Sequence, residues 1–316
     1  MHPALSVILF STASGAGYGL LIFVVLGRLL WLPSDSTALV WGFVLSLVLI
    51  VGGLLSSTFH LGRPERSWRA FSQWRTSWLS REGVMAIVTF APMAGLVWHW
   101  FARPNDELLL LVAGVFAMVG ALVTVFTTSM IYASLKPIPA WSNPWTSAVY
   151  LLFALMTGGL LYYILVSWLT QNQNLILVEL TIGLILSGAL VKLLYWRHVS
   201  SDVSSTTPES ATGLGQLGKV SQLQAPHSQE NYLLKEMGFK IARKHGQRLK
   251  WICFFTAFVA PVSVMLLALF VQGLAMKLLL LSALASMAIG VFIERWLFFA
   301  EAKHVVTHYY HEARYQ

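Results

Sequence analysis

Residues 60–82 read HLGRPERSWRAFSQWRTSWLSRE, and they sit between two apolar runs, 40–59 and 84–101, that contain no Asp, Glu, Lys or Arg. The stretch holds five arginines (Arg63, Arg66, Arg69, Arg75, Arg81), two glutamates, one histidine and three tryptophans (Trp68, Trp74, Trp78). Tryptophan favours the headgroup layer, where its ring stays apolar and its N–H reaches water. Arginine lays its stem along apolar surface and keeps its head wet. The stretch therefore reads as a loop in one membrane interface, with bilayer-filling helix on either side.

The whole chain supports that reading. Of its 316 residues 57% are hydrophobic and 11% charged, and the mean hydropathy is +0.68. Soluble domains carry roughly 25% charged residues, so this is an integral membrane protein. The net charge of +8 would suggest a nucleic-acid partner in a soluble protein. Here no basic soluble domain exists, so nucleic acid is excluded and the basic residues meet membrane lipid and set orientation. The single cysteine, Cys253, allows no internal disulfide and no Cys-ligated cluster in this chain. The N-terminus lacks a basic segment ahead of its apolar run and is read as a retained helix.

A membrane helix needs about 20 apolar residues. Eight runs meet that length, at about 5–30, 40–59, 84–101, 108–134, 145–169, 175–196, 251–271 and 275–299. Alternating ten-residue segments, the mark of a barrel, are not seen. The fold expected is all-α, eight transmembrane helices in one membrane domain over 1–316. The prolines of LKPIPAWSNPW (Pro137, Pro139, Pro144) divide it into two four-helix sets. Ser11, Gly15 and Gly19 recur at a spacing of four, a stripe that lets another helix come close. Residues 200–231 read as a flexible cytoplasmic loop, and 232–250 as a basic segment lying on the membrane or on a partner. Eighteen of the 21 Lys and Arg fall on the side of the N-terminus, against Arg28, Arg103 and Lys277 on the other. That bias puts both termini and the 60–82 loop in the cytoplasm.

Haem b needs facing histidines inside the bundle. None of the nine histidines lies in the middle of an apolar run; His60 and His99 fall at opposite faces, and only His60 and His198 approach a common one. No haem is expected. A quinone suits the residues better. His60 ends helix two and can donate to a carbonyl; Glu82 opens helix three and can relay a proton. Arg63 or Arg81 can hold that glutamate charged. A capped, ion-paired loop without chemistry is the alternative on these residues alone. Inside the apolar runs, Glu179, Glu294 and Arg295 are further candidates. Glu294 and Arg295 point about 100° apart, toward different partners, while Arg28 and Lys192 are expected to snorkel. Ionisable residues gathered at the faces count against the competing class, a secondary transporter with a midplane substrate site.

HLGRP at 60–64 with SWLSRE at 77–82, together with KEMGFKIARKH at 235–245, resembles the membrane anchor subunit of dimethyl sulfoxide reductase. That family is similar in turn to the polysulfide and nitrite reductase anchors. The resemblance implies a haem-free subunit that binds menaquinone or ubiquinone and exchanges electrons with a four-cluster iron–sulfur subunit docked on the 60–82 side. Through it the anchor would serve a molybdenum or tungsten bis-pyranopterin catalytic subunit, in anaerobic, sulfur or formate-type respiration. Iron–sulfur clusters and molybdopterin would belong to the partners, and this chain would do no chemistry on the terminal substrate. The resemblance carries quinol binding onto His60 and Glu82, with Gly62, Arg63, Ser80 and Arg81 in the same motifs.

Overall fold

A computed structural model describes residues 4–30, 36–60, 63–171, 173–201, 207–221 and 240–305. Eight helices among them are long and apolar enough to cross a membrane, and no strand occurs among the described residues. They are α1 (Leu5–Leu29), α2 (Ser36–Ser56), α3 (Trp78–Ala102), α4 (Glu107–Ala133), α5 (Pro144–Thr170), α6 (Leu175–Ser201), α7 (Lys240–Phe254 continuing to Ala268) and α8 (Gly273–Ala300). The chain is a multi-pass membrane protein.

Helix ends follow local chemistry. Asp106 accepts from the Leu109 N–H at 2.9 Å and starts α4, an N-cap that satisfies an orphan donor. Asn143 accepts from the Trp145 N–H at 3.1 Å, with Pro144 in the first turn of α5. The helix of α3 begins at Trp78 rather than near residue 84. The end of the expected loop, with Ser80, Arg81 and Glu82, is therefore helical. A count of apolar residues misses such a turn because polar side chains on it are held by the folded loop. The basic segment differs in the same way: its described half, from Lys240, is the first part of α7 rather than a separate surface helix, and 232–239 lie outside the described residues. Within the expected flexible loop, Pro208–Thr212 forms a short helix with a Thr207–Ser210 capping box; 202–206 and 222–231 lie outside the described residues.

The two four-helix sets meet along α1 and α5, the most buried spans. A methyl on Gly19 would run into the Ala154 carbonyl, and one on Gly158 into the Gly19 backbone. On the other side of α1, a methyl on Gly17 would come within 2.9 Å of the Ile50 backbone N and the Ser46 carbonyl O of α2. In lipid, with no apolar drive between helices, such backbone approach is a main source of association. Gly158→Leu is expected to stop folded protein from accumulating in the membrane, whereas Gly183→Leu, where a Cβ meets open space, should leave it unchanged. Membrane yield and gel-filtration profile of the two variants check this.

One helix is irregular for an identifiable reason. Phe255–Val259 in α7 forms a π turn just before Pro261. Proline has no N–H to give the carbonyl a turn earlier, and Ser286 of α8 donates to the Thr256 carbonyl at 2.9 Å instead. The turn brings Ala257 against Gly290, which draws α8 and its charged residues into the bundle.

Candidate functional site

The segment after α2 folds back over the start of α3. His60 closes a 3₁₀ turn, Ser57–His60, and a second 3₁₀ helix runs Pro64–Gln73. Gly62 and the side chain of His60 lie outside the described residues. The Ser80 hydroxyl donates to the Ala70 carbonyl. Arg81 donates through Nε to the Trp74 carbonyl at 3.0 Å and through Nη2 to the Arg75 carbonyl at 2.7 Å, and its guanidinium lies 4.2 Å from the Trp78 ring centroid. The Phe71 ring covers Gly83. Arg81 is thus a latch for the segment and does not pair with Glu82, the role the sequence suggested for it. Arg63 is exposed and makes no ion pair with Glu82 either. Ser80→Ala with Arg81→Met is expected to loosen the latch. Limited proteolysis between residues 63 and 77 should speed up several-fold while the bundle stays folded.

Above the latch lies a surface unlike the rest of the protein. Trp68 and Trp74 are 64% and 54% exposed, with Arg69 and Arg75 each 5.6 Å from the neighbouring indole centroid. Below it, Ser80 and Glu82 are buried. Glu82 faces α4, with Thr128 beside its carboxyl. Thr128 and Thr127 both donate to the Thr124 carbonyl at 2.9 Å. The Thr124 hydroxyl in turn lies 3.2 Å from that of Thr89. Tyr18 of α1 and Tyr132 of α4 lie near Glu82, and the buried Tyr18 hydroxyl finds no hydrogen-bond partner among the described residues. The chain belongs to the DMSO reductase anchor subunit family. Residues 1–300 match the family model described as "DMSO reductase anchor subunit (DmsC)".

Among curated relatives, this anchor subunit is 31% identical to the C subunit of the sulfite dehydrogenase of Allochromatium vinosum, over 98% of its own length and 99% of that protein. It is also 29% identical to the C subunit of the anaerobic dimethyl sulfoxide reductase of Escherichia coli, over 38% of its own length and 42% of the other. No solved structure matches it.

A second buried cluster in the anchor subunit lies in the same half of the bundle. Lys192 Nζ of α6 reaches Glu294 Oε1 of α8 at 2.5 Å, and Arg295 Nη1 lies 3.2 Å from Glu294 Oε2. The three side chains are 1%, 0% and 2% exposed. Lys192 therefore does not snorkel, and Glu294 and Arg295 share one cluster despite their 100° offset, because Arg295 is long enough to turn back. Two of the three stand out in the sequence as buried ionisable groups; their mutual pairing does not. The ring environment adds to the pairing: Lys192 Nζ sits 3.9 Å from the Tyr195 centroid and Arg295 Cζ 3.7 Å from that of Tyr150, contacts that favour a desolvated cation. Around them Tyr132, Trp141, Tyr150 and Phe298 pack with centroids 5.4–5.9 Å apart. Of the remaining candidates, Glu179 is exposed, and Arg28, partly covered, pairs with Glu107 at 3.4 Å.

Proposed function

We propose that this chain is the haem-free, quinone-reactive membrane anchor of an oxidoreductase complex of the dimethyl sulfoxide reductase and sulfite dehydrogenase kind. It exchanges electrons between menaquinone or ubiquinone and an iron–sulfur subunit of four clusters that docks on the 63–77 face. That subunit serves a molybdenum or tungsten bis-pyranopterin catalytic subunit. The lysine and arginine bias, which survives removal of the buried Lys192 and Arg295 from the count, supports cytoplasmic termini, and the bacterial relatives support an inner membrane as its place.

The observation that carries the reading is Glu82: a carboxyl sunk beneath an arginine- and tryptophan-bearing surface, with no cation paired to it among the described residues. Buried ionisable groups in a bilayer are functional candidates by default. A quinone head needs a donor, a proton acceptor and an apolar slot. Glu82 supplies the acceptor, and the Thr128 hydroxyl, once turned from the Thr124 carbonyl, supplies a donor from the adjacent helix; Phe59 and Leu79, 83% and 54% exposed, offer apolar surface. His60, at the end of its 3₁₀ turn, is the second donor the family resemblance carries here. When bound, quinol supplies two electrons for the clusters and two protons. Glu82 takes up one of those protons at its carboxylate, while the Ser80–Ala70 latch keeps the segment closed over it.

A photoreactive quinone analogue, added to membranes holding the complex, is expected to label peptides within 78–93 or 120–133. Label confined to the far ends of α5–α8 would overturn the site.

A further inference from the structure

A narrow, partly open crevice of about 20 Å³, enough to hold ordered water, lies between α1, α4, α5 and α8 and is walled by residues of both clusters described above. Its wall includes Thr12, Tyr18, Thr128, Tyr150, Thr157 and Arg295. Thr128 is the residue that Glu82 faces; Arg295 is the one that Glu294 holds. The wall carries more donors than the protein satisfies. Thr12 Oγ1, the Tyr150 hydroxyl and Arg295 Nε find no hydrogen-bond partner among the described residues, although Tyr150 and Arg295 are 3% and 2% exposed. A buried polar group left unpaired costs roughly 1–3 kcal/mol, and such sites are normally filled by water when the space is polar and large enough.

Glu82 gives that water a role. Phe71 over Gly83 and Ser80 on the Ala70 carbonyl pack the loop onto the start of α3 around Glu82. Thr128, beside Glu82, lines the crevice and gives a proton a way into it. We propose that the crevice holds ordered water bound by Thr12, Tyr150 and Arg295, and that this water carries the proton away from Glu82.

The step balances simply. The Glu82 carboxylic acid gives its proton to the Thr128 hydroxyl oxygen as that hydroxyl turns from the Thr124 carbonyl and gives its own proton to the water, which releases one in turn through the open part of the crevice. Glu82 returns to carboxylate and no electrons move. Arg295 stays a fixed cation, held by Glu294, that orients the water oxygen; it is a positioning residue. The relay rests on the reading of Glu82 as the proton acceptor, but the water itself does not.

Two measurements on the assembled complex in lipid nanodiscs separate these. In radiolytic hydroxyl labelling, water bound at the wall should mark Tyr18 and Tyr150 several-fold faster than Tyr162 and Tyr163, which are as deeply buried and lie off the crevice. Equal labelling of all four would show a dry crevice and overturn the proposal. Thr12→Val with Tyr150→Phe removes two donors at almost constant shape. It should slow quinol-driven turnover roughly tenfold or more and raise its solvent deuterium isotope effect, while turnover driven by a soluble dye that reduces the iron–sulfur subunit is unchanged. Wet labelling in the parent with unaltered turnover and isotope effect in the double variant would overturn the relay. Normal quinol turnover in Glu82→Gln would instead overturn the quinone reading and leave the labelling result standing.

Discussion

Glu82→Gln is expected to lower quinol-driven turnover by about 10² to 10⁴, the range for loss of a positioned acid–base group, with assembly and dye-driven turnover intact. The argument is one of matched shape and lost chemistry. Glutamine has the volume of glutamate and can occupy the same place beside Thr128. Among the described residues no cation pairs with Glu82, so neutralising it leaves no buried charge stranded. The fold has no reason to suffer, and the Ser80 and Arg81 contacts that hold the loop do not involve the carboxyl. What is removed is the capacity to accept a proton. His60→Ala should behave likewise. Full quinol turnover in both variants would defeat the assignment.

The largest stability effect is expected at the other cluster. Glu294→Gln leaves two cations, Lys192 and Arg295, buried without the counter-charge that holds them. Breaking a buried pair by removing one partner costs about 3–5 kcal/mol, and here one change breaks two contacts. Lys192→Met should cost clearly less, because Glu294 keeps Arg295 at 3.2 Å and the methionine fills the space. Thermal unfolding in detergent should therefore order the proteins as parent, Lys192→Met, then Glu294→Gln. The reverse order of the two variants would mean that Lys192, not Glu294, is the centre of the cluster.

Much of this protein is written in its composition. Apolar runs of bilayer length with charges between them fix eight spans, because lipid offers backbone polar groups no partner except another turn of the same helix. The stripe of small residues in α1 announced a close neighbour, and Gly19 against Ala154 is that contact. Glu82 was legible too, as a carboxyl at the edge of an apolar run beside an arginine-rich stretch. Its surroundings were not. Arg81 is next to Glu82 in sequence, yet it points to the Trp74 and Arg75 carbonyls. Thr128, far along the chain in α4, stands beside the carboxyl instead.

The same holds for Lys192 and Glu294, 102 residues apart, whose union depends on how α6, α7 and α8 pack around a π turn. A sequence states which groups must be hidden from lipid and roughly how far along each helix they lie. Which of them share a partner depends on helix rotation and on the approach of one backbone to another. Those are set by contacts between residues far apart in the chain, so only the folded bundle decides them.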